Sequence, residues 1–161
     1  MDEPMYFAVK DTARLAQTME DIEKAIAHGV DPHHTDIYGV TLAHLLAERD
    51  KGALLVQMAE KYPFILEQRD CIGLTVAIRL ALNHNVETVL QLAELQPDVL
   101  QQRSSHDYTV LGVFIANRDM PAIVATLQKM EALNVPVQAD FEQELKKAAL
   151  TMDDLRTWKQ S

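Results

Sequence analysis

The sequence predicts an all-helical stack of repeated units, and three observations point to it. First, the chain matches itself at an offset of 34 residues: Asp36-Ile37-Tyr38-Gly39-Val40-Thr41 is echoed by Asp70-Cys71-Ile72-Gly73-Leu74-Thr75 and again by Ser104-Ser105-His106-Asp107-Tyr108-Thr109. A fixed period in this range marks a repeat architecture. Second, the same offset aligns Pro63 with Pro97, Leu66 with Leu100 and Gln68-Arg69 with Gln102-Arg103. Third, each echo opens onto two short apolar runs with helical spacing, parted by polar connectors and closed by proline. With 161 residues, the chain fits a single domain of about four to five such units.

The elements follow in order. Met5 to Gln17 reads as a helix with Ala13, Leu15 and Ala16 available for one face, and Pro4 sits where a first turn tolerates it. Glu20 to His28 is a second helix, with Ile22, Ala25 and Ile26 forming its buried stripe. Gly29 ends it at the position that favours positive φ. Thr41 opens the next helix, where its hydroxyl takes an otherwise unbonded amide. Ala43, Leu46 and Ala47 form its packing face. Gly52 to Lys61 follows as an outer helix with Leu54, Leu55, Met58 and Ala59 inward, and Tyr62-Pro63 closes it.

The plan then repeats. Thr75 to Leu82 is the inner helix and Val86 to Leu95 the outer one, with Asn83-His84-Asn85 between them. Thr109 to Ala116 and Pro121 to Ala132 form the next pair, with Asp119 as cap. Asp107 replaces the turn glycine, and aspartate tolerates left-handed geometry better than most residues. After Asn134-Val135-Pro136 the period is lost. Asp140-Phe141-Glu142-Gln143 has capping-box spacing for a helix reaching Leu150, and Thr151-Met152-Asp153-Asp154 has the same form before a last short helix. These two are expected to cap the apolar end of the stack, with Trp158 packed against it. The expected units are about 3–35, 36–69, 70–103 and 104–137, with a cap over 138–161.

Composition narrows the class of function. A hydrophobic fraction of 48% is that of an ordinary folded chain, and the net charge of −9 disfavours nucleic acid as a partner. An acidic body is compatible with a basic protein partner drawn in by long-range attraction, and serves solubility as well. Cys71 is the single cysteine, so no internal disulfide forms. Met1-Asp2-Glu3-Pro4 has neither the basic nor the apolar region of a secretory signal, and no run is long enough to span a membrane, so a cytoplasmic setting is expected.

The pattern Asp-x-x-Gly-x-Thr followed by a short apolar helix resembles the ankyrin repeat over roughly residues 20 to 137. The run from His28 to Asp36 resembles the loop that closes one such unit and feeds the next. The usual proline after the helix-opening Thr is replaced by Leu42, Val76 and Val110, and the helix histidine persists only as His44. The resemblance implies an ankyrin-repeat solenoid that binds other proteins through fingertip loops and the concave face of its inner helices. It also implies that His44 hydrogen-bonds between fingers.

Mapped onto this chain, the fingertips are Ile37, Tyr38 and Val40; Cys71, Ile72 and Leu74; and Ser105, His106 and Tyr108. Several are apolar where turns are usually polar, which favours partner binding over packing of finger on finger. Arg69 and Arg103 flank this strip and either reach an acidic partner group or brace neighbouring fingers. Glu48, Arg49, Arg79, Asn83, Asn117 and Arg118 stand near the inner-helix ends as polar contact candidates. His28, His33, His34 and His44 lack the spacing of a metal site, no cofactor motif is present, and no catalytic constellation is found. The expectation is a non-enzymatic module, monomeric when free, that binds another protein such as a basic toxin or enzyme and inhibits, neutralises or tethers it. The alternative is a delivered effector or assembly subunit that uses the repeats to dock.

Overall fold

The structure, a computed structural model, describes residues 3–160, apart from the side chains of residue 3 and of residues 158–160. The packing of Trp158 therefore lies outside the described residues. The described chain is all-α, with ten α-helices: α1 (Glu3–Leu15), α2 (Met19–Ala27), α3 (Leu42–Glu48), α4 (Gly52–Lys61), α5 (Val76–Leu82), α6 (Val86–Leu95), α7 (Val110–Ala116), α8 (Met120–Ala132), α9 (Phe141–Lys147) and α10 (Met152–Gln160). Short 3-10 turns at Pro63–Glu67 and Pro97–Leu100 follow α4 and α6.

The helices form two rows. Odd-numbered helices pack on one another in the sequence α1, α3, α5, α7, α9, and even-numbered helices do the same from α2 to α10. Within the first four pairs each odd helix also packs on the even helix that follows it. Residues 34 apart therefore stack in register: Leu46, Leu80 and Phe114 are fully buried along the inner row. Their small neighbours Ala43, Ala47, Ala77 and Ala81 are buried too and let the helix axes approach closely. Truncating one of the large residues costs about 2–5 kcal/mol through lost burial and the cavity left behind.

Local chemistry sets the helix ends. The hydroxyls of Thr41, Thr75 and Thr109 accept from the amides of His44, Ile78 and Gly112, so one residue type starts α3, α5 and α7 alike. The bounds of α4 and α6 match those read from the sequence, because proline closes both. Asp119 caps α8 through the Ala122 amide.

Three details differ from the sequence reading. Leu15 is 61% exposed, because α1 turns Val9 and Ala13 inward and the buried Ala16 follows just past its end. Asp140 makes no side-chain cap for α9; its carboxylate is held 3.2 Å from the Arg103 guanidinium, and α9 ends at Lys147. Helices α9 and α10 also do more than lie across the end of the stack, since they extend the same two rows by one step.

Candidate protein-binding surface

Between the outer helix of one pair and the inner helix of the next, the chain makes a finger: residues 36–40, 70–74 and 104–108. Each is closed by the same bonds. The amide of the first residue donates to the carbonyl of the fifth, at 3.1 Å for Asp36–Val40, 3.1 Å for Asp70–Leu74 and 2.9 Å for Ser104–Tyr108. The side chain of the first residue accepts from the amides two and four positions on: Asp36 from Tyr38 and Val40, Asp70 from Ile72 and Leu74, Ser104 from His106 and Tyr108. With the inner polar groups satisfied this way, the loop holds its shape without help from the tip side chains.

The fingers are tied edge to edge. The Cys71 amide donates to Tyr38 O at 2.7 Å, and the Ser105 amide to Ile72 O at 3.0 Å. Gln68 and Gln102 add a second tie, donating to the carbonyls of Pro32 and Leu66, and Gln138 does the same to Leu100. These bonds set the tips in one row, where Ile37 is 69% exposed, Tyr38 61%, Ile72 43% and Tyr108 48%. Cys71, Ser105 and His106 are exposed beside them, and Val40 is half-buried.

Other sequence candidates are engaged inside the chain. Leu74 is buried at the base of its finger, where its carbonyl faces His44; it is scaffold and leaves the exposed strip. Arg69 donates to the carbonyls of Gly73 and Arg103, and Arg103 binds Asp140 and Asp107. Both therefore brace neighbouring elements, though through carbonyls and Asp140 rather than through Asp70 or Glu67. The Asp140 carboxyl is held below the usual carboxylate range chiefly by its bond to Arg103.

Arg79 pairs with Asp70 at 2.6 Å and also binds Glu48, linking α5, the second finger and α3. Burial opposes ionisation of Asp70, but the Leu74 amide, Arg79 and the Ile72 amide outweigh it and lower its pKa. Asn83 reaches back to Ala47 O at 3.3 Å. Arg49, Asn117 and Arg118 are exposed at the ends of α3 and α7, beside the exposed Glu48.

The surface also holds a residue that the sequence reading passed over. Leu82, at the end of α5, is 42% exposed. The repeat offset would have found it, because it stands 34 residues from both Glu48 and Ala116, which are exposed as well.

The histidines are dispersed: His28 bonds Lys24 O, His33 stacks on Phe64, and His44 is buried within α3. Among the described residues no three His, Cys, Asp or Glu side chains gather as metal ligands, and no helix is long and apolar enough to cross a membrane. No protein-family model matches this chain, and no curated protein matches it.

Proposed function

We propose that this chain is an ankyrin-repeat solenoid acting as a non-enzymatic binding module, one that holds a partner protein by its finger row and thereby inhibits or neutralises it. The observation that carries the reading is the strip of Ile37, Tyr38, Ile72 and Tyr108, exposed together on loops whose shape does not depend on them. Exposed apolar side chains in a fixed row mark interaction surfaces, and tyrosine is favoured as an anchor there. The two rows of helices with a 34-residue register support the ankyrin assignment. So do the threonine starts of α3, α5 and α7 and the link from His44 to the next finger. Arg49 and Arg118 are exposed at the other end of the inner helices, where they offer polar contacts to a partner that reaches along the inner row.

The test is a comparison of the wild-type chain with the triple variant Tyr38→Ala, Ile72→Ala, Tyr108→Ala in affinity capture followed by mass spectrometry. A protein held by the first and lost by the second, at unchanged circular dichroism, supports the assignment. Equal retention by both overturns the choice of this face.

A further inference from the structure

Three stretches of the chain share a short pattern ahead of an inner-row helix: Gln68-Arg69-Asp70, Gln102-Arg103-Ser104 and Gln138-Ala139-Asp140. Their register is structural as well, because each glutamine donates to a carbonyl one repeat back, at Pro32, Leu66 and Leu100 in turn. Arg103 reaches the last residue of the triplet that follows it. Its Nη2 lies 3.2 Å from one oxygen of the Asp140 carboxylate and its Nη1 3.5 Å from the other.

Arg69 stands one triplet earlier, and the matching residue ahead of it is Ser104, which carries no charge. The Ser104 hydroxyl oxygen already accepts from the amides of His106 and Tyr108. Nη1 of Arg69 donates to the carbonyls of Gly73 and Arg103, at 3.0 Å and 2.5 Å. These bonds hold the guanidinium between the second and third fingers. Its Nη2 and Nε make no hydrogen bond among the described residues, and the side chain makes no ion pair there, although the residue is exposed.

We propose that Arg69 receives a carboxylate of the partner protein, an Asp or Glu side chain set among apolar residues. This rests on the finger-row reading and names the chemistry that the row selects. Nε and Nη2 share one edge of the planar guanidinium and present parallel N–H bonds, the geometry that takes a carboxylate in bidentate fashion. The exposed tips of the two fingers it bridges, Ile72 and Tyr108, supply the apolar contacts on either side. Such contacts exclude water and strengthen a charged hydrogen bond next to them. On a chain of net charge −9 this arginine acts at short range, where it fixes the register of the partner.

Random peptides displayed on phage test this when selected on the wild-type chain and counter-selected on the triple variant Tyr38→Ala, Ile72→Ala, Tyr108→Ala. Peptides that need the tips are expected to carry Asp or Glu beside apolar residues. Replacing that acid by Asn or Gln should weaken binding about 10- to 100-fold, the worth of a hydrogen bond to a charged group. On Arg69→Met the same replacement should change nothing further.

Ser104→Asp gives a second arm that removes no bond of Arg69. It keeps the kind of loop acceptor that Asp36 and Asp70 provide and sets a carboxylate in the triplet position that Asp140 holds against Arg103. Acidic peptides should weaken on this variant to a similar degree, at unchanged circular dichroism. Tip-dependent peptides without an acid overturn the proposal, as do acidic ones that Arg69→Met and Ser104→Asp bind as tightly as the wild type. A selection that yields no tip-dependent peptide overturns the finger-row reading itself, and this inference falls with it.

Discussion

The buried imidazole of His44 reaches from α3 to the base of the second finger, where its Nε2 lies 2.9 Å from the carbonyl oxygen of Leu74. A carbonyl only accepts, so Nε2 carries the hydrogen. Nδ1 is then the acceptor for the Thr41 hydroxyl at 2.9 Å and for the Thr41 amide at 3.3 Å. One neutral tautomer thus satisfies both repeats at once, which is why the ring can be fully buried.

This arrangement makes stability depend on pH. Burial lowers the pKa of His44 from 6.5, with Arg79 adding to the effect, while the Leu74 carbonyl, Asp70 and Glu48 oppose it. The unfolded chain therefore takes up a proton that the folded chain refuses. Stability is full above pH 6.5 and falls as the pH drops below it, by at most about 2 kcal/mol at pH 5. Urea unfolding at pH 7 and pH 5 checks this. His44→Ala lowers the midpoint at pH 7 and shrinks the difference between the two conditions.

Arg79 is the only cation paired with Asp70 among the described residues, and the Asp70 side chain is 4% exposed. Arg79→Met keeps the aliphatic stem and removes the charge, leaving Asp70 with two amide donors and no counter-ion. Breaking a largely buried pair in this way costs about 3 kcal/mol. Because Asp70 titrates with a lowered pKa, its stabilising effect is present above pH 3.8 and is lost as the pH falls. The variant is expected to lower the urea midpoint at pH 7 and to show a smaller loss of stability on acidification through this range.

Thr126 stands on the buried face of α8 in register with Met58 and Leu92, and it is fully buried like them. Its hydroxyl has no hydrogen-bond partner among the described residues. An unsatisfied buried hydroxyl carries a desolvation cost that an isosteric methyl does not. Thr126→Val is therefore expected to stabilise the chain by about 1 kcal/mol. Thermal unfolding monitored by circular dichroism reads it, and a lower midpoint would refute the account.

How much of this was legible beforehand depends on the range of each interaction. The repeat offset and the threonine, glycine and proline positions are local signals, and they place α3 to α8 and the finger tips. The inward residues of α4, Leu54, Leu55, Met58 and Ala59, follow from helical spacing alone and are buried. The roles of Arg69, Arg79 and Arg103 were not legible, because a cation in a sequence carries no mark of whether it meets solvent, a partner or a carbonyl one repeat away. Leu74 misleads for a related reason. It lies in the turn by sequence but is buried at the finger base, where its carbonyl meets His44, thirty residues earlier. Asp140 shows the reverse case, a capping motif whose carboxylate is claimed by Arg103 instead.

The left-handed position at each finger offers the sharpest separation of local from neighbouring constraints. Gly39, Gly73 and Asp107 occupy it with φ of 74°, 76° and 66°. At the first two a Cβ would collide with the next finger: 2.9 Å from the Asp70 Cα at Gly39, and 2.7 Å from the Ser105 amide nitrogen at Gly73. Asp107 can carry a side chain because no fourth finger is bonded across it among the described residues. Its own cost is then only the strain of positive φ, about 1–2 kcal/mol for a residue other than glycine. Its exposed pairing with Arg103, at 3.6 Å, offsets little of that. Asp107→Gly is therefore expected to leave stability unchanged or raise it by up to about 1 kcal/mol. Gly73→Ala adds the collision to the same strain and is expected to cost about 3 kcal/mol, the sum of strain and overpacking. Urea unfolding of the two variants, run side by side, separates the effects. A cost of Gly73→Ala no larger than the gain from Asp107→Gly would show that positive φ alone dictates glycine in these fingers, and that the crossing of neighbouring fingers does not.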